Sequence, residues 1–187
     1  MSNYHVSAAF TFPRFLNTLG LIGITSVLAF AFIWQFAYHE LPCPLCLLQR
    51  VAFMLVGIGF LLNARFGSSA MHYGITILSA IGGAIASGRQ TLLHIAPGDT
   101  GYGSPFLGMH FYTWAFILFV IIIAYCAIML MLDRTLNGTI VNTPPNGVVR
   151  LIMWLFVLMI IGNLASTFLE CGIGACPDNP TEYLMLK

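Results

Sequence analysis

The chain has 187 residues, of which 59% are hydrophobic and only 7% charged. Soluble domains carry about 25% charged residues, so this composition leaves too little polar surface for a water-soluble protein. The net charge of +1 offers no basic patch to track phosphates and excludes a nucleic-acid partner.

A membrane protein remains, and five apolar stretches mark its expected spans: Leu16–Ala37, Leu47–Ala64, His72–Ile95, Thr113–Leu132 and Leu151–Leu169. Each is close to the roughly 20 residues a helix needs to cross the hydrocarbon core. The first is longer than the apolar region of a secretory signal, and no small-x-small cleavage site follows it, so it is expected to be retained. Arg14, Arg65, Arg134 and Arg150 all fall on one side of these spans, which the positive-inside rule makes cytoplasmic. The other side holds Lys187 in the tail. The expected fold is an all-α integral membrane protein, with its N-terminus inside and its C-terminus outside.

The first outer loop runs into span two as HELPCPLCLLQR. Proline suits the first helical position, so a helix is predicted to start at Pro44, with Cys43 near its N-cap and Cys46 in its first turn. Free N–H groups and the helix dipole stabilise a thiolate there. Arg50 lies four residues beyond Cys46, on the same helix face, and adds a permanent charge. The two sulfurs are spaced to bond to each other, so the pair reads as a redox-active dithiol. A static disulfide over so short a loop gains little from cross-linking. Half of a zinc site shared with the later cysteines leaves Arg50 unexplained. Chance occurrence in an apolar chain is the third alternative.

Span three carries Ser79, Gly83 and Ser87, and Ala80, Ala84 and Gly88, at every fourth position, a pattern that lets helices approach closely. Arg89 lies near its outer end. An arginine inside a span costs about 2.5–3.5 kcal/mol, less near the interface, and snorkelling accounts for either Arg50 or Arg89 alone. Two arginines at similar depth beside a dithiol also suit the carbonyl oxygens of a quinone, a lipid-soluble acceptor for the electrons a dithiol releases.

The second outer loop, APGDTGYGSPFLGMHFY, is apolar enough to lie in the membrane interface. Trp34, Tyr38, Tyr102, Tyr112 and Trp114 form an outer aromatic belt, with Trp154 near the inner boundary. His94 and His110 bracket the loop as ordinary polar anchors, and no metal is expected. His39 and Glu40 read as interface residues with a possible part in proton handling. Cys126, in mid-span four, reads as a small buried hydrophobe. An inner connector, DRTLNGTIVNTPPNGVVR, leads to span five and to an outer tail beginning ECGIGACPDNP. Cys171 and Cys176 in this tail, like Cys43 and Cys46, fall on the side where disulfides persist. Asp99, Glu170, Asp178 and Glu182 are expected to be solvated loop charges.

CPLCLLQR at the opening of span two resembles the Cys-x-x-Cys and following arginine of the disulfide bond formation protein B (DsbB) family. GRQTLLHIAPGDTGYGSPFLGMHFYTWAF looks like the third helix, second outer loop and fourth helix of bacterial members. The resemblance implies a DsbB-like four-helix transmembrane bundle over 16–132, a cytoplasmic loop over 133–150, an extra transmembrane helix over 151–169 and a periplasmic tail over 170–187, all in a single membrane domain, 1–187. It implies a multi-pass protein of the bacterial inner membrane with its active cysteines on the periplasmic side. A DsbA–DsbB–quinone relay keeps the periplasm oxidising. The implied activity is therefore reoxidation of a periplasmic DsbA-type, thioredoxin-fold oxidase, with electrons passed to ubiquinone or menaquinone in the membrane quinone pool. Cys46 matches the cysteine next to the quinone, Cys43 its exchange partner and Arg50 the quinone-contacting arginine. Well-known members have four spans and a second cysteine pair in the loop after the third helix. Here 96–112 contains no cysteine, and Cys171 with Cys176 is expected to replace that pair as the shuttle, the alternative being a static tail disulfide. Two rival readings remain. One is a vitamin K epoxide reductase-like enzyme, whose Cys-x-x-Cys lies at the last helix of its bundle. The other is a non-catalytic membrane protein with structural or metal-binding outer cysteines.

Overall fold

The computed structural model describes residues 12–136 and 144–186. Part of the 133–150 connector and Lys187 therefore fall outside the described residues. The described residues form five long helices in order, α1 Phe12–Tyr38, α2 Pro44–Phe66, α3 Ala70–Leu93, α4 Phe111–Leu136 and α5 Gly147–Cys171, with a final 3-10 turn at Leu184–Leu186. All five are long and apolar enough to cross a membrane. Most extend a few residues past the apolar runs, because polar caps rather than hydropathy set their ends. The Ser69 side chain accepts the N–H of Met71, and that of Asn146 accepts the N–H of Val149. Each satisfies a donor the helix leaves open. Gly67, at φ 94°, ends α2 in a conformation that favours glycine.

Helix α2 lies between α1 and α3, α4 packs on α3, and α5 lies against α1 and α2. Leu21, Ile24 and Leu28 of α1, Phe53, Val56 and Phe60 of α2, Phe119 of α4 and Phe156 of α5 form the shared core. Glycines make these approaches possible. A Cβ on Gly57 would overlap the Phe156 ring, and one on Gly83 the Phe119 ring. On Gly59 it would reach 2.9 Å from the His72 carbonyl oxygen. The small-residue stripe of α3 thus works at Gly83, where α4 presses in. Cys126 is fully buried in the same core.

At the end of the bundle away from the Cys-x-x-Cys, a polar knot ties three helices together. Asn63 donates to Asn17 at 2.9 Å, and Asn17 donates to the Tyr73 hydroxyl at 2.7 Å. Buried amides require such partners in an apolar interior. Large apolar side chains such as Leu78, Ile85, Trp154 and Ile161 point outward, as expected of surfaces that face lipid.

Candidate functional site

Cys43 caps α2 in extended conformation (φ −67°, ψ 163°), and Pro44 opens the helix. The Cys46 N–H donates to the Cys43 sulfur at 3.1 Å. Both cysteines are free thiols, Cys43 buried and Cys46 half-buried. Gln90 of α3 spans the pair: its Nε2 donates to Cys43 at 3.2 Å and to Cys46 at 3.6 Å. Gln49 fixes that amide by donating to its oxygen at 2.8 Å.

Electrostatics separate the two sulfurs. The hydrogen bond from the Cys46 thiol lowers Cys43 most, and the Cys46 N–H, Gln90 and the Leu45 N–H add to it, against burial. Together they bring its pKa down to about 6. The thiolate-stabilising bonds therefore converge on Cys43, whereas the sequence pointed to Cys46. Arg50 acts on the pair through space, because its fork is turned to α1. Its Nη1 donates to Gln35 Oε1 at 2.7 Å and its Nη2 to the Ala31 carbonyl at 3.4 Å. Its guanidinium also sits over the Phe32 ring at 5.5 Å.

Cys46, Gln49 and Arg50 open into a cavity of about 380 Å³ between α1, the start of α2 and α4. Its other walls are mostly aromatic and aliphatic, with Trp34, Phe53 and Phe106 prominent. Cys43 is set back from it. Arg89 is exposed and lies off the cavity, while its neighbour Gln90 turns inward and is buried. The loop after α3 covers the opening. Glu40 accepts the Ser104 N–H at 3.1 Å and the Ser104 hydroxyl. Tyr102 donates to the Leu41 carbonyl at 2.7 Å, and burial pushes its phenol up. Glu40 is thus a loop anchor, and His94 pairs with Asp99 at 3.1 Å.

The tail returns to the same end. Cys171 and Cys176 are disulfide-bonded with Cα atoms 4.6 Å apart. Cys171 is buried and Cys176 half-buried. Gln35 donates to Ser166 at 3.0 Å and to the Tyr183 hydroxyl at 2.8 Å. Glu170 corrects its expected place as a solvated loop charge: it lies in the last turn of α5 with no exposed surface. Gln35, Gln49, Gln90 and Ser166 were missed as site residues, although polar groups inside apolar spans are the available signal.

The DsbB family model, described as Disulfide bond formation protein DsbB, matches residues 13–104. Over this segment the chain is similar to the DsbB family. The matched segment holds α1, α2, α3 and the Cys-x-x-Cys, while α4, α5 and the tail lie beyond it. A disulfide bond formation protein B of Nitrosomonas eutropha is 40% identical over 83 residues, covering 42% of this chain and 48% of the relative. Its namesake in Xylella fastidiosa is 38% identical over 93 residues, covering 46% and 54%. That of Pseudomonas syringae pv. tomato is 38% identical over 91 residues, covering 46% and 53%. The chain thus spans about half the length of the curated DsbB relatives it matches. No solved structure matches it.

Proposed function

We propose that the chain is a membrane thiol–quinone oxidoreductase. It reoxidises a periplasmic DsbA-type thiol oxidase and passes two electrons to a membrane quinone. The observation that carries this reading is that Cys46 and Arg50 share one apolar, aromatic-walled cavity, with Cys43 directly behind. Its volume of about 380 Å³ falls in the range of small-molecule sites. A quinone head group is flat, with two carbonyl acceptors. The cavity meets it with aromatic faces, and Gln49 and Arg50 stand in its wall. When bound, a quinone accepts two electrons and two protons.

Around that acceptor the protein's own groups have separate tasks. Cys46 presents its sulfur to the cavity, and Arg50 holds a permanent positive charge beside it. An incoming tail thiolate attacks Cys43 in the Cys43–Cys46 disulfide, and the low pKa of Cys43 makes it a good leaving group when the mixed disulfide is resolved. The tail pair takes electrons from the soluble partner and hands them to Cys43–Cys46. Two cysteine pairs at one end of the bundle support this order. So does the absence of cysteine from 96–112. The site belongs on the periplasmic side of the bacterial inner membrane, and either ubiquinone or menaquinone suits the cavity.

Anaerobic quinone reduction by a reduced DsbA-type protein tests the reading. Wild type should turn over, and Cys46→Ser should lose that activity. Equal rates would refute the proposal.

A further inference from the structure

Glu170 is the least expected group in the molecule. Its side chain has no exposed surface, and neither carboxyl oxygen has a hydrogen-bond partner among the described residues. A buried carboxyl is ordinarily hydrogen-bonded or paired, so this one requires a reason. Arg50 and Cys43 lie within electrostatic range of it. The ionisable groups gathered around Arg50 and Glu170 are Cys43 and Cys46 from the start of α2, Tyr183 from the tail and Tyr102 from the loop, with Glu40 in the cavity wall held by Ser104. Helix α1 contributes the neutral Gln35. Tyr102 keeps its proton, because burial pushes its phenol up.

Two of these groups are buried and able to carry the anion that balances Arg50: Cys43 and Glu170. Both anions together leave a net negative charge away from water. Neither leaves Arg50 unbalanced. Each extreme is costly in a low-dielectric interior. One anion at a time is the favourable count, and the redox state of the cysteines decides which group bears it.

We propose that Glu170 is a redox-linked proton site: its carboxyl holds a proton while Cys43 is a thiolate and releases it when Cys43 and Cys46 join as a disulfide. The inference rests on the thiol–quinone reading and deepens it. The balance closes. The reduced site is Cys43 thiolate, Cys46 thiol and Glu170 carboxylic acid. The oxidised site is the Cys43–Cys46 disulfide and Glu170 carboxylate. Between them an S–S bond forms, an S–H and an O–H bond break, and two electrons and two protons leave. One proton comes from Cys46 and one from Glu170. A quinone becoming a quinol takes up the same two electrons and two protons, so no further oxidant is required. The charge of the site is the same before and after. Without Glu170, a pair that starts as a thiolate has only one proton to give.

Glu170 acts through the cysteines and Arg50, so it is a positioning residue, and the test reads protons directly. The full-length protein in detergent is equilibrated with thiol–disulfide buffers across a pH series. The redox state of Cys43–Cys46 is read by alkylation and peptide mass spectrometry, separately from the tail pair. Above the Cys43 pKa of about 6, wild type should take up two protons per two electrons. Glu170→Gln should take up one, which halves the pH slope of the midpoint potential, and Glu170→Asp should restore it. Equal slopes in wild type and Glu170→Gln would overturn the proposal. Infrared difference spectra of the wild type give a second readout in case the glutamine variant folds poorly. A protonated-carboxyl band should vanish on oxidation of the pair, and an unchanged carboxyl region would overturn the proposal. No quinone is present in either measurement. Failure here with intact quinone reduction therefore sinks only the role of Glu170, whereas loss of quinone reduction by the wild type sinks the underlying reading.

Discussion

Gln35 of α1 accepts a hydrogen bond from Arg50 of α2 at 2.7 Å. The same amide donates to Ser166 and to Tyr183, so one side chain joins the cavity's cation to α5 and to the tail. Gln35→Leu leaves Arg50 with the longer hydrogen bond to the Ala31 carbonyl and its contact with the Phe32 ring. Loss of a buried partner of a charged group costs about 1.5–3 kcal/mol. Thermal unfolding of the purified protein should show a destabilisation of that size. Tyr183→Phe removes only the tail connection and should cost about 0.5–1.5 kcal/mol. Its clearer effect should be faster proteolysis after α5. An unchanged cleavage rate would mean that this bond does not hold the tail.

The two sulfurs of the tail pair differ in access. Cys171 is buried at the end of α5, and Cys176 is half-buried. An incoming thiolate should therefore attack Cys176 and leave on Cys171 the sulfur that continues the exchange. A DsbA-type partner lacking its second active-site cysteine should be trapped on Cys176, as read by mass spectrometry. Replacing both tail cysteines with serine should abolish turnover with that partner, while a small dithiol still drives quinone reduction through Cys43–Cys46. Unimpaired turnover of the double variant would make the tail disulfide a static one.

Helix contacts at glycine give a prediction about stability. A Cβ at Gly57 would overlap the Phe156 ring, where α2 meets α5. Gly57→Val should destabilise the fold by about 1–3 kcal/mol, the usual effect of overpacking. Gly74 has nothing within 4 Å of an added Cβ, so Gly74→Ala should stay within about 0.5 kcal/mol of wild type. Melting curves of the two variants check the pair, and equal shifts would show that α5 is not packed through this contact.

Much of this architecture is legible in the sequence, because the lengths of apolar runs and the Cys43–Pro44 cap are local properties. The phase of a helix near its end is not. Successive residues are turned by about 100°, so Arg89 faces outward while Gln90 reaches both cysteines. Charge drew attention to Arg89, while the neutral Gln90 beside it makes the contacts with the sulfurs. Glu170 was hidden for a related reason. It breaks the apolar run at Leu169 and so reads as the start of a loop, but α5 continues to Cys171 and the tail folds back to α1 through Tyr183. The tail is joined to α1 by a contact between residues 148 positions apart, which no local pattern records. Gln35 was legible as a polar residue in a span. Its triple role required knowing that α1, α2 and α5 meet there.

The Cys43 thiol makes the sharpest pH prediction. Its pKa is about 6, lowered first by the hydrogen bond from the Cys46 thiol and then by the Cys46 N–H, Gln90 and the Leu45 N–H. Below that pH Cys43 is a thiol and unreactive; above it, a thiolate. Alkylation of the reduced protein at Cys43 should therefore rise through about pH 6 and level off well before the range of an ordinary thiol, near pH 8.5. Cys46→Ala removes the largest of these contributions and should move the midpoint up, towards the ordinary value. Gln90→Leu removes a smaller one and should move it less, in the same direction. Stopped-flow alkylation followed by peptide mass spectrometry measures all three. A midpoint unmoved in Cys46→Ala would show that the neighbouring thiol does not support the charge on Cys43, and the division of labour between the two sulfurs would fall with it.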